Sequence, residues 1–284
     1  MVFEVGLERN YNATTLWGGR ELMEPATGLT ILGGAIGGAK VAEKVLGPTA
    51  EYIGDGLKTW TQRRVQNVAN VFEIAAKLLG PKLDQPGAVP PKVLKEVIDQ
   101  ASSNDDRLAG EYFGGVLASS RTEVSRDDRG ARFISLIGSL TSYQLRTHYL
   151  LYSGFKAAFN GTALNPLSSA DRNKLKIFTS FIEYVGAMDF TEKESADALV
   201  SHAFFGLNRD GLIENFVFGS VETVRSLVPN ANEPGIAVIP TVSGFELFLW
   251  AHGLGEKSAR EFFNVGTVFE VDTTIPVLKV IAVQ

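Results

Sequence analysis

Between Ala88 and Tyr152, apolar residues recur at steps of three and four in four successive bursts, each closed by polar or proline-rich punctuation. That period belongs to helices with one buried face. Pro90 and Pro91 stop an incoming helix and suit the first turn of a new one, where a missing N–H costs little. Val93, Leu94, Val97, Ile98 and Ala101 then share one face. Ser102–Asp106 is a break rich in residues that cap helix N-termini. Leu108, Tyr112, Phe113, Val116 and Leu117 form a second apolar face, with Gly114 and Gly115 inside the same helix. Each such glycine costs about 1 kcal/mol against alanine, so the pair predicts a close helix–helix contact. The run RTEVSRDDRG predicts a solvated loop, and Phe133, Ile134, Ile137 and Leu140 a third face. Thr141 with Gln144 fits a capping box that opens a fourth helix through Leu145, Tyr149 and Leu150. Short links between such helices constrain the stretch to a helical array.

The order of these segments resembles the Abi-alpha family, bacterial proteins associated with abortive infection of phage. Val89-Pro90, Leu94, Ala101-Ser102, Asp105-Asp106, Leu117-Ala118-Ser119 and the run from Phe133-Ile134 to Leu140 carry the likeness. Upstream, the segment from Val45 to Leu79 is similar to the family's N-terminal part, including the basic–aromatic junction of Lys58, Trp60, Arg63 and Arg64. Downstream, Leu207–Ile213 and Ile239–Leu249 are similar to two further family segments, so the likeness extends from about Val45 to His252. Two positions depart from the pattern: Gly130-Ala131-Arg132 replaces the family's His-Pro-Ser, and Ser142-Tyr143-Gln144 replaces an acidic helix start. The resemblance implies antiphage defence through a phage or host protein partner, with homo-oligomer formation also in view. It carries no catalytic residue.

With 284 residues and 45% hydrophobic content, the chain can bury a full core in one or two domains. The absence of cysteine excludes disulfides, thiol catalysis and cysteine-type zinc sites. A net charge of −5 argues against a nucleic-acid coat, so nucleic acid is not an expected partner, although a local basic patch is compatible with it. The start Met-Val-Phe-Glu-Val lacks the basic and apolar regions of a secretory signal, which predicts a cytoplasmic protein. Residues 1–25 read as an extension, 26–85 as a Gly-rich and amphipathic helical segment, 86–152 as the central helical domain and 153–284 as a C-terminal α+β domain. In ATGLTILGGAIGGA, Gly33, Gly34, Gly37 and Gly38 have the spacing that allows close backbone contact in a membrane helix. Its fourteen uncharged residues fall short of the roughly 18–20 that span a bilayer. A buried Gly-rich turn or a tightly packed soluble helix is therefore the first reading, and peripheral membrane contact by residues 26–46 the alternative. Lys58, Arg63 and Arg64 beside Trp60 are the candidate anion-binding residues, against a plain solvated helix face. The helix they enter, through Val65, Val68, Ala69, Phe72, Ala76 and Leu79, stops at Gly80-Pro81.

Beyond Tyr152, Ser168 or Ser169 caps a predicted helix with Leu175, Ile177, Phe178, Phe181, Ile182 and Val185 apolar. Thr191 and Glu194 form a second capping box, opening a helix that ends near Gly206. GLIENFVFGSVETV and GIAVIP read as short strands, Thr241–His252 as helix, and TVFEVDTTIPVLKVIAV as two strands broken at Pro276. The expectation is a mainly α protein: a helical array with a small C-terminal α+β, winged-helix-like part. The second long helix of such a module would enter a DNA groove, but TEKESADALVSHAFF is acidic and phosphates repel it. His148, His202 and His252 lack metal-site spacing, Asp105-Asp106 and Asp127-Asp128 suit capping, and Ser243-Gly244 is half of a nucleophile elbow. No catalytic residue, metal or cofactor is expected. The remaining alternatives are a membrane-active effector using the Gly-rich run and a DNA-binding regulator.

Overall fold

The structure, a computed structural model, describes residues 62–191, 193–270 and 274–283. Gln62–Leu79 (α1) stops where the sequence predicts, because Gly80 takes φ +48°, a conformation open to glycine. Pro91 occupies the first turn of Pro91–Ser102 (α2), whose buried side chains include Val93, Leu94, Val97 and Ile98. Asp106 caps Arg107–Ser120 (α3), its carboxylate accepting from the Ala109 N–H at 2.9 Å. Arg129–Ser139 (α4) buries Ile134 and Ile137. Ser142–Phe159 (α5) opens with the complete Thr141/Gln144 capping box. Its buried residues, from Leu145 and His148 to Tyr152, Phe155 and Phe159, extend round more than one face, so α5 lies inside the molecule.

The glycine pair in α3 does what its position predicts. A Cβ at Gly114 would press on the Ile74 side chain of α1, and one at Gly115 would overlap the Ala251 carbonyl oxygen. Two helices thus approach α3 at van der Waals distance, one on each side.

After α5 come Ser169–Arg172 (α6), Lys176–Ser180 (β1), Phe181–Met188 (α7), Ala196–Arg209 (α8) and Ile213–Gly219 (β2). Val221–Val224 (α9), Gly235–Pro240 (β3), Val242–Ala251 (α10) and Ile281–Val283 (β4) follow. The strands form one antiparallel sheet in the order β2-β3-β1-β4, with Ile177 opposite Val238 and Phe216 also opposite Val238. The order β1, α7, α8, β2, β3 is that of a winged-helix-like unit, with β4 added beside β1. The chain is therefore mainly α with a small α+β part. One apolar cluster runs from Val65 to Leu278, so the helices before and after α5 share it. A smaller cluster, Phe178 with Val224, Val228, Ala231, Ala237 and Val283, covers the opposite face of the sheet.

Four expectations for the C-terminal part are corrected. The helix expected from Ser168 through Val185 is a four-residue helix, a strand and a second helix. Ser168 does cap α6, but Ile177, Phe178, Thr179 and Ser180 are all buried, as in a strand covered on both faces. Such a run cannot be told from a buried helix by period alone. The Thr191/Glu194 box opens no helix. One Glu194 oxygen accepts from the Thr191 N–H, the other accepts from the Tyr143 hydroxyl of α5, and α8 begins only behind Ser195. Helix α8 also runs past Gly206, to Arg209, because that glycine admits the Gln144 side chain of the α5 capping box. In the tail, Ile281–Val283 is the one strand among the described residues, where two were expected.

Candidate functional site

Helix α8 buries Val200, Ala203, Phe204 and Leu207 and turns Asp197, Ala198, His202, Phe205, Asn208 and Arg209 outward. Phe205 is 63% exposed, a rare position for a phenyl ring. It stands edge-on to Phe216 of β2 at 5.1 Å, and Phe216 stacks on Phe218 at 6.0 Å with their planes 10° apart. Phe216 and Phe218 are two residues apart and so share one face of the strand. Strand β2 is also an edge of the sheet. The Asn208 amide covers its first carbonyls, donating to Ile213 and Glu214 at 3.1 and 3.0 Å. From Phe216 to Gly219 the strand pairs with β3 on one side and with no strand on the other among the described residues. An aromatic surface beside an open strand edge is a template for another polypeptide. Charge points the same way: the Arg209 guanidinium is held by Asp210 at 2.9 Å and Asp197 is acidic, so α8 presents no surplus cation to phosphate.

A second cluster lies where α3, α5 and α10 meet. Nδ1 of the fully buried His148 is 2.9 Å from the Tyr112 hydroxyl, and its Nε2 is 3.2 Å from the Gly244 carbonyl. A carbonyl only accepts, so Nε2 carries the proton and Nδ1 accepts from Tyr112. Burial drives the His148 imidazole down to about 3, against the opposing pull of the Gly244 carbonyl. The same burial raises the Tyr112 and Tyr152 hydroxyls above their ordinary value. His252 has the opposite tautomer, since its Nδ1 donates to the Phe248 carbonyl at 2.8 Å. Burial lowers it to about 4, with the Phe248 carbonyl and Glu270 opposing. Its ring lines a cleft of about 290 Å³ beside Tyr112 and Tyr149, with the pairs Lys77–Glu270 (2.8 Å) and Arg107–Glu111 (3.2 Å) at the same cleft. Among the described residues the hydroxyls at this cleft are those of Tyr112 and Tyr149, and the Tyr112 hydroxyl is already engaged with His148.

The residues singled out from the sequence are scattered or lie elsewhere. Gly33, Gly34, Gly37, Gly38 and Lys58 fall outside the described residues. Arg63 is in the first turn of α1 and Arg64 beside it is exposed. Asp127 holds Arg129, which keeps its carboxyl below the usual range, and Asp128 accepts from Lys92 at 3.1 Å. His202 contacts Thr141 Oγ1 at 3.2 Å. Ser243 is exposed on α10, and Gly244 beside it is required because a Cβ there would meet the Tyr152 hydroxyl. Among the described residues no group of three or more His, Cys, Asp or Glu is placed to hold a metal, and no helix is long and apolar enough to cross a membrane. The sequence reading missed the Phe205/Phe216/Phe218 surface. Its signal was the alternation F-x-F in β2 next to a doubled phenylalanine in the preceding helix.

Comparison with protein-family models, with curated proteins and with solved structures gave no match for this chain.

Proposed function

We propose that this chain is an antiphage defence protein of the abortive-infection type that works by binding another protein through α8 and the open edge of β2. The exposed ring of Phe205, resting edge-on to the half-buried Phe216 beside Phe218, carries the reading, because a water-facing aromatic side chain at an open strand edge marks a contact surface. The defence setting rests on the ordered resemblance between Val45 and His252. The winged-helix-like unit acts as a scaffold for protein contact, since α8 balances one acid, Asp197, against one base, Arg209, and that arginine is already paired with Asp210. A DNA reader would show salt-sensitive retention on DNA, and this chain is expected to show none even at low salt.

The test is phage plating and culture survival in a susceptible host, comparing the intact chain with Phe205→Ser/Phe216→Ser. Protection is expected to disappear while the far-ultraviolet circular dichroism of the purified variant stays unchanged. Full protection by the folded variant would refute the assignment of this face. Loss of protection on deleting residues 1–46, with the double serine variant active, would move the function to the Gly-rich segment.

A further inference from the structure

At the far end of α5 from its capping box lies a cavity of about 630 Å³, within the range of roughly 300–1,000 Å³ typical of small-molecule sites. Phe159 and Leu164 form its wall on the α5 side, and Ala282 and Val283 of β4 on the sheet side. Lys174 and Lys176 also line it, and no carboxylate among the described residues does. Lys174 has Asp171 at 3.5 Å. Lys176 is half-buried, and its ammonium has no ion-pair partner among the described residues. The His252 cleft differs in carrying two cations already matched by two carboxylates. In a chain with net charge −5, a mostly apolar cavity bounded among the described residues by two lysines and no acid is complementary to one ligand chemistry. That chemistry is an acyl tail with an anionic head.

We infer that this cavity binds an anionic amphiphile, with its head on Lys176 and its tail against Phe159, Leu164, Ala282 and Val283. The head comes either from a free fatty acid or from an acidic lipid in a bilayer, and the two sources are separable by experiment. The intact chain is titrated calorimetrically with sodium decanoate below its micelle concentration, and in parallel with decanol, which has the same tail without charge. Separate flotation assays use phosphatidylcholine vesicles with and without phosphatidylglycerol. Binding of decanoate is expected to exceed that of decanol, and Lys176→Met is expected to weaken decanoate by about tenfold while leaving decanol unchanged. Ala158→Phe, which fills the cavity from α5, is expected to weaken both. Flotation with phosphatidylglycerol vesicles that Lys176→Met abolishes, without soluble decanoate binding, assigns the head to a bilayer lipid. Absence of both decanoate binding and flotation, or binding that neither variant alters, overturns the site.

Discussion

His148 sets a specific acid sensitivity. Its native imidazole is held near 3, against an ordinary value of 6.5. The native value lies below the unfolded one, so between them the unfolded chain binds the extra proton and stability falls as pH drops through 6.5. The loss is complete only near pH 3. At pH 5 the unfolded imidazole is about 1.5 pH units into protonation while the native one is still neutral, which costs about 2 kcal/mol relative to pH 8 at 1.36 kcal/mol per unit. His252, held near 4, contributes about 2 kcal/mol more by the same reasoning. Together they remove about 4 kcal/mol, a large share of the roughly 5–15 kcal/mol that stabilises a typical domain. Asp127, Glu194 and Glu222 have lowered carboxyls and stay largely ionised at pH 5, so they do not mimic the effect. The assay is urea unfolding followed by circular dichroism at pH 8, 6.5 and 5. His148→Gln is neutral at every pH, so its own cost is constant across the series and the loss from pH 8 to 5 is expected to halve. An equal loss in both proteins would refute the claim that a neutral, buried His148 governs the slope.

Other substitutions test the packing. Gly115→Ala puts a methyl group into the Ala251 carbonyl, so α3 and α10 must separate, and a loss of about 3 kcal/mol in urea denaturation is expected. Gly110→Ala in the same helix meets nothing within 4 Å and is expected to stabilise by roughly 0.5–1 kcal/mol, which separates a crowded glycine from a merely flexible one. Tyr152→Phe removes the hydroxyl that donates to the Leu212 carbonyl and accepts from the Thr241 N–H, and thermal denaturation is expected to show a loss of about 1–3 kcal/mol. Thr141→Ala breaks the α5 capping box and is expected to cost about 1 kcal/mol by the same assay.

What could be read from the sequence follows from how local each cause is. The ends of α2, α3 and α5 were legible because Pro91, Asp106 and the Thr141/Gln144 pair act within three residues of themselves. The Gly114-Gly115 pair was legible for a related reason: two costly residues in one helix require a neighbour, although they do not say which. Strand β1 was not legible. Ile177 and Phe178 fit a helical period with Phe181 and Val185, and their identity as strand comes from β3 and β4, about 60 and 100 residues away in sequence. The Thr191/Glu194 motif failed through competition, since the same carboxylate is also claimed by Tyr143 from α5. The candidate surface was hidden for a further reason. Phe204 and Phe205 are chemically identical, and only the fold decides that the first is fully buried while the second faces water. A contact surface built from core-type residues is thus invisible to composition and periodicity. It appears once the helix has been rotated into place, when the phenyl ring one step around from the core meets Phe216 edge-on and is otherwise left largely exposed.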